Sequence, residues 1–296
     1  MKIFVTGASG FIGGSVAAQL AQAGHAVRGL VRDPAKRDAV RRTGIEPVLG
    51  TLDDPALLTR EARSADATVN AASSDDRQAV ETLVAALAGS GKALIHTSGS
   101  SIIADEALGE PSGKIFDEDT PFVTAPEKAA RVAVDQLVLG AAGMRGIVLC
   151  PSLIYGTGLG AEAESAQLPR LAALARETGV ARHIGRGLNL WSTVHIADVA
   201  ALYLLALATA PAGTFCFIEN GEASFEAMVG AIAERLGLGP AQPWNADDAI
   251  ATLGRQTAVF SLGSNSRVRA RRARALGWAP RHASVLDWIA TELPKG

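Results

Sequence analysis

The segment Thr6-Gly7-Ala8-Ser9-Gly10-Phe11-Ile12-Gly13 limits what this chain can fold into more than any other. It sets G-x-x-G-x-x-G between a short apolar run, Lys2 to Thr6, and a stretch from Phe11 to Ala23 with Ile12, Val16 and Leu20 on one helical face. Glycines at a strand-to-helix turn let the chain reverse tightly, bring the backbone close to a pyrophosphate, and let the helix pack closely on its strand. The helix start then offers free N–H groups and a positive dipole end to the phosphates. A glycine pattern alone is a weak signal. Here it opens a series of alternating strands and helices, and we expect a dinucleotide at Gly7, Ser9, Gly10, Phe11, Ile12 and Gly13.

The series continues with apolar strands at Ala26 to Val31, Ile45 to Leu49, Ala67 to Asn70, Ala93 to Thr97 and Gly146 to Cys150. Helices are expected between them, including one opened by Asp53-Asp54-Pro55, one over Asp75 to Ala88 and one over Pro126 to Ala142. Strands alternating with helices imply right-handed crossovers and an α/β, Rossmann-type, doubly wound parallel sheet. After Pro151 the rhythm breaks. Helices are expected at Glu162 to Thr178, Ala197 to Leu207, Ser224 to Leu236 and Ser284 to Leu293, with a late strand at Thr214 to Ile218. This divides the chain into a dinucleotide-binding domain, 1–155, and a smaller C-terminal substrate-binding region, 156–296, with some segments returning to the main sheet.

The end of the second strand chooses the cofactor. An acidic residue there suits the ribose 2′-hydroxyl of NAD, and an Arg suits a 2′-phosphate. The strand ends at Arg32, with Lys36 and Arg37 close behind, which favours NADP; Asp33 keeps NAD as the alternative. A net charge of −2 over 296 residues argues against a nucleic-acid partner. The basic run Arg267 to Arg274 reads as a solvated face. The longest apolar run, Val199 to Ala210, is too short to span a bilayer, and no signal peptide precedes the first strand. Cys150 and Cys216 lie in apolar runs, as buried thiols of a reducing cytoplasm would. No Cys/His spacing suggests a metal.

Several further pieces resemble the extended and atypical short-chain dehydrogenases/reductases, a group that includes epimerase/dehydratase-like, dihydroflavonol-reductase-like and NmrA-like proteins. They are Gly50-Thr51-Leu52-Asp53-Asp54, Asn70-Ala71-Ala72-Ser73, Thr97-Ser98-Gly99-Ser100, Pro151 to Gly156, Val194 to Ala200 and Leu276-Gly277-Trp278-Ala279-Pro280. The resemblance implies cofactor contacts at Thr51, Leu52, Asn70, Ala71, Ala72, Ser73, Thr97, Lys128, Pro151 and Leu153. It also implies a catalytic Tyr-x-x-x-Lys at the start of the helix after the fifth strand. Lys128 fits the lysine, but Thr124 stands where the tyrosine belongs. The chain's two tyrosines, Tyr155 and Tyr203, have no lysine four residues on. The family's catalytic Ser or Thr falls on Gly99, beside Ser98 and Ser100, and the usual Arg before the sixth strand's proline is Cys150.

Ser98, Thr124 and Lys128 are therefore the expected catalytic residues, in an altered site. A phenol near pKa 10 can be pulled toward neutrality by a lysine, whereas an aliphatic hydroxyl is a far weaker acid. The proton would come from water, Ser98, Ser100 or Tyr155. His195 with Asp198 reads as structure and His96 as a core histidine; a hydrolase built on Ser98 or Ser100 lacks a G-x-S-x-G elbow. The resulting expectation is an NADP-dependent oxidoreductase acting on a small carbonyl or alcohol. The alternatives are a non-catalytic NmrA-like sensor and a nucleotide-sugar epimerase or dehydratase. In the family the helices after the fourth and fifth strands often form a dimer, which points to Val80, Leu83, Val84, Leu87, Val132, Val134, Leu137 and Val138 as a homodimer face.

Overall fold

A computed structural model describes residues 1–165 and 167–295. Runs such as Ile3-Phe4-Val5 and Leu94-Ile95 are apolar at successive positions, which suits strands covered on both faces. They build a seven-stranded sheet from β1 (Lys2–Thr6), β2 (Ala26–Val31), β3 (Glu46–Leu49), β4 (Ala67–Asn70), β5 (Ala93–Thr97), β6 (Arg145–Pro151) and β7 (Thr214–Ile218). The order is β7-β6-β5-β4-β1-β2-β3, and every pairing is parallel. The strand order reverses between β1 and β4. In open α/β sheets the crevice at such a switch point is where ligands bind.

Helices cover both faces. α1 (Phe11–Gln22) packs with the later helix Ile196–Thr209 over one face, through Val16, Leu20, Val199 and Leu202. The helices Pro55–Ser64, Arg77–Leu87 and Pro126–Leu139 cover the other, through Leu58, Leu83, Val134 and Val138. Val80, Leu83, Leu87, Val134 and Val138, named above for a dimer face, are buried in this core, so the chain's own packing accounts for them.

A second core forms where the helix–strand rhythm breaks. The short strands Leu153–Tyr155, Leu190–His195 and Glu222–Ser224 form a three-stranded sheet. Trp191, Phe225, Met228 and Trp288 pack around it. The helix Ile196–Thr209 and β7 return to the main sheet from within this part of the sequence. The helix expected from Glu162 begins only at Leu168, with Pro169 in its first turn, where a missing N–H costs nothing; Ala166 lies outside the described residues.

The basic run is solvated and also paired: Arg271 and Arg274 are exposed, and its arginines meet carboxylates. Arg267 and Arg269 pair with Glu222, Arg271 with Asp117, Arg272 with Asp119 and Arg274 with Glu219. Both cysteines are free and buried. Among the described residues, no helix is long and apolar enough to cross a membrane, and no His/Cys/Asp/Glu cluster could hold a metal ion.

Candidate functional site

The glycine turn meets the loop after β4 at the switch point. Gly7 has a φ of 72°, and a Cβ on it would lie 2.7 Å from the Ala71 carbonyl oxygen. A Cβ on Gly13 would lie 2.8 Å from the Gly7 carbonyl carbon and closer still to its oxygen. Both positions need glycine for packing. Gly10 is different: it is the N-cap of α1, and a Cβ there would meet only the Gly7 oxygen at 3.4 Å. No side chain caps α1, and its first turn holds no acidic residue. Among the described residues, no side chain neutralises the first-turn amides, as a pyrophosphate cradle requires.

The groove consists of two cavities that share Gly10, Ala71 and Ala72. One, of about 490 Å³, runs along Gly7, Ser9 and Gly10 to Arg32, Lys36, Thr51, Leu52 and Ser73. Arg32 is exposed there, and Lys36 pairs with Glu162 at 3.3 Å. Asp33 does not line it; its carboxylate accepts from the Ala35 amide at 2.9 Å instead. The other cavity, of about 420 Å³, is bordered by Phe11, Ile12, Gly13, Ser98 to Ser101, Pro151 and Ile154. Ser165, Gln167, Trp191 and Ser261 close its far side.

Four expected cofactor residues do not line this groove. Asn70 lies beneath it, accepting from Thr6 and donating to the His96 ring at 3.0 Å. The Thr6 hydroxyl in turn accepts from the Ala71 and Ala72 amides, so Asn70 shapes the loop the cofactor would touch. Thr97 is bonded to the buried Tyr203 hydroxyl at 2.7 Å, and Leu153 belongs to the second core. Lys128 is 4% exposed, with its amino group 5.8 Å from the Phe260 ring centre. Among the described residues it has no carboxylate partner, and burial, with the nearby Arg131 charge, pushes its pKa down.

The expected catalytic hydroxyls are engaged elsewhere. Thr124 donates to the Ile102 carbonyl at 2.6 Å and borders a separate cavity with Asp105 and Lys114. Ser98 borders the groove but donates to Asp135 at 2.6 Å. Tyr155 donates to the His282 carbonyl, and burial raises its pKa. His195 stacks on His282 at 4.0 Å, and its ring accepts from the Ala197 amide, a structural role.

Sequence reasoning missed Arg131 and Asp135. They stand three and seven residues after Lys128, on the same face of Pro126–Leu139, a spacing that could have marked them. Arg131 is held by Asp75 through bonds of 2.8 and 2.6 Å and donates to the Ser101 hydroxyl at 3.0 Å. Its NH1 lies 3.2 Å from where a Gly99 Cβ would stand. Asp135 is buried beside His96, 3.6 Å away, and Ser98. Burial raises its pKa to about 7, outweighing the Ser98 bond and the Arg131 charge; burial likewise lowers His96 to about 4.

Asp135 gives a stability prediction. Its carboxyl ionises near pH 3.8 unfolded and near 7 folded, so between these values the unfolded chain has already released the proton and stability falls as pH rises. His96 acts in the opposite sense between about 4 and 6.5 and is present in wild type and variant alike. The difference in unfolding free energy, Asp135→Asn minus wild type, should therefore move in the variant's favour by about 3 kcal/mol from pH 4 to pH 8. Urea denaturation at the two pH values reads it, and a pH-independent difference contradicts it.

The comparisons with known proteins agree with this geometry. The family model for the NAD dependent epimerase/dehydratase family matches residues 3–215. An uncharacterized protein of Schizosaccharomyces pombe is 29% identical, with 99% of both chains covered. A 4-hydroxy-2-methyl-3-oxo-4-farnesyl-3,4-dihydroquinoline-1-oxide ketoreductase of Stigmatella aurantiaca is also 29% identical, covering 100% of this chain and 98% of its own. The crystal structure of dTDP-glucose 4,6-dehydratase from Bacillus anthracis, in complex with NAD, superposes with a TM-score of 0.78 at 18% identity, covering 98% of this chain and 95% of that one. The chain belongs to the NAD-dependent epimerase/dehydratase family, within the extended short-chain dehydrogenases/reductases.

Proposed function

We propose that this protein is an NADP-dependent reductase of a small, uncharged carbonyl compound. The observation that carries the reading is the unequal charge of the two halves of the groove. The half beyond Gly7 is lined by Arg32 and Lys36, which suits the 2′-phosphate of an adenosine. Among the described residues lining the other half, none is Lys or Arg. A nucleotide-sugar substrate would bring a diphosphate there with no cation lining the cavity to meet it, which disfavours the epimerase and dehydratase reading. The Stigmatella relative, named a ketoreductase, supports reduction of a carbonyl.

In this reading the α1 amides bind the pyrophosphate, and Ala71 and Ala72 form the wall between the adenosine and nicotinamide ends. Pro151 and Ile154 are the apolar surface that excludes water from the nicotinamide end. Lys128, buried at the head of its helix and bordering neither half of the groove, is assigned no cofactor contact in this reading. The reduced cofactor, when bound, supplies a hydride. The sensor alternative rests on the missing tyrosine, since Thr124 is bonded to Ile102 outside the groove.

Titration of NADPH and NADH, together with oxidation of each against a panel of ketones and aldehydes, tests the proposal. Arg32→Ala should weaken NADP(H) tenfold to a hundredfold, the worth of a charge-assisted bond of about 1.5–3 kcal/mol, and leave NAD(H) within about twofold. Equal affinities for the two cofactors in wild type would remove the NADP assignment. Tight NADPH binding with no oxidation by any carbonyl would favour the sensor.

A further inference from the structure

The loss of the tyrosine leaves open which group protonates the substrate oxygen. We infer that Ser101 is the proton donor and that Arg131, clamped by Asp75, polarises and positions it. The inference rests on the reductase reading above.

The serines bordering the 420 Å³ half of the groove differ in where their protons go. Ser98 donates to Asp135, and Ser152 donates to the Ile218 carbonyl. Ser266 donates to the Ser100 carbonyl, so the Ser100 hydroxyl donates to Ser266. These protons are held inside the fold. The Ser101 hydroxyl instead accepts, from the Arg131 guanidinium at 3.0 Å. Its own proton has no acceptor among the described residues and is left for the cavity it borders.

Ser165 and Ser261 also border the cavity with no acceptor among the described residues, but neither is bonded to a cation. Only a hydroxyl held by a fixed positive charge has its alkoxide stabilised as the proton leaves. Arg131 is fixed: both its Nε and NH2 bond the Asp75 carboxylate, and these bonds lower the Asp75 pKa and keep the pair ionised. Gly99 makes the arrangement possible. By position it is the nearest equivalent of the family's catalytic hydroxyl, and a Cβ there would stand 3.2 Å from the guanidinium.

The step balances simply. The hydride of the reduced nicotinamide forms a C–H bond at the carbonyl carbon, and the carbonyl π-pair moves to oxygen. The Ser101 O–H bond breaks, and its proton forms the new alcohol O–H. The serine alkoxide, held by the guanidinium, regains a proton from solvent water.

The probe is 2,2,2-trifluoroacetophenone. NADPH oxidation is followed by absorbance, and ketone binding to the NADP⁺ complex by ¹⁹F NMR. Ser101→Ala should lower kcat about a hundredfold, as loss of one donor to a developing oxyanion does, with NADPH affinity unchanged. Ser101→Thr should recover most of it. Arg131→Lys, which retains charge but not the planar fork, should lower kcat about tenfold and raise the solvent deuterium isotope effect. If wild type reduces the ketone and Ser101→Ala reduces it equally well, the donor assignment fails while the reductase reading stands. If wild type binds the ketone without reducing it, and Ser101→Ala weakens that binding tenfold, the reductase reading fails and Ser101 is still the carbonyl's partner. Equal binding by the two, or none by wild type, overturns the assignment.

Discussion

Gly13→Val should abolish measurable binding of either nicotinamide cofactor, a loss of more than a hundredfold. A Cβ on Gly13 would lie 2.8 Å from the Gly7 carbonyl carbon and 3.0 Å from the Thr6 carbonyl oxygen. These are backbone atoms of β1 and the turn that follows it, and they cannot rotate away. α1 must shift off the sheet, taking the first-turn amides with it, and overpacking of this kind typically costs about 1–3 kcal/mol of stability. Gly10→Ala separates packing from ligand approach. Its Cβ meets only the Gly7 oxygen at 3.4 Å, and its φ of −96° is open to alanine. That variant should keep its Tm within about 2 °C, the shift expected for roughly 1 kcal/mol, and still lose cofactor affinity, because the methyl group stands where the pyrophosphate approaches. Isothermal titration beside thermal unfolding reads both effects. Full affinity in Gly13→Val would show that the turn is not the cradle.

The fold is legible for a physical reason. A parallel strand buried on both faces must be apolar at successive positions, and Ile3-Phe4-Val5 and Leu94-Ile95 are. Helix starts are equally local: Asp54 accepts from the Leu57 amide and Asp76 from the Ala79 amide, each within three residues. The helix after Gly156 is misread at its start because a local signal is passed over: Pro169 is favoured in a first turn and marks the start at Leu168, which leaves residues 162–165 outside.

The cofactor half of the site follows the same rule. Glycines and an exposed strand-end arginine act through their own backbone and charge, so their neighbours in sequence reveal them. The catalytic half does not, because a hydroxyl's role depends on where its proton goes. The partners are far off in sequence: Thr124 donates to Ile102, Ser98 to Asp135 and Ser100 to Ser266, the last across 166 residues. Ser101 differs from its neighbours only through Arg131, thirty residues away. Asn70 and Thr97 sit at strand ends, where a side chain can face the groove or the layer beneath it, and here both face inward.

The same contrast governs Asp198, which a motif-based reading could mistake for catalytic machinery. Asp198→Ala should lower stability by about 3 kcal/mol. The carboxylate is 4% exposed and stands at the start of the helix Ile196–Thr209. It accepts from the Arg281 amide at 3.0 Å, the His282 amide at 2.9 Å and the His282 ring at 3.1 Å. The Asp198 carbonyl accepts from the Trp278 indole at 2.9 Å, so one residue fastens the segment 278–282 to the first core. Alanine leaves two amides without their acceptor. Hydrogen bonds to a charged group are worth about 1.5–3 kcal/mol each and do not add fully. For a chain of this length, 3 kcal/mol corresponds to a fall in Tm of about 5 °C. Asp198→Asn, which keeps one acceptor oxygen, should lose about half as much. Limited proteolysis should cut the alanine variant first between Trp278 and Ser284, while NADPH affinity stays within about twofold, because none of these atoms lines the groove. A Tm change under 2 °C would show that the clamp is redundant; lost turnover at unchanged Tm would make Asp198 a participant in the chemistry.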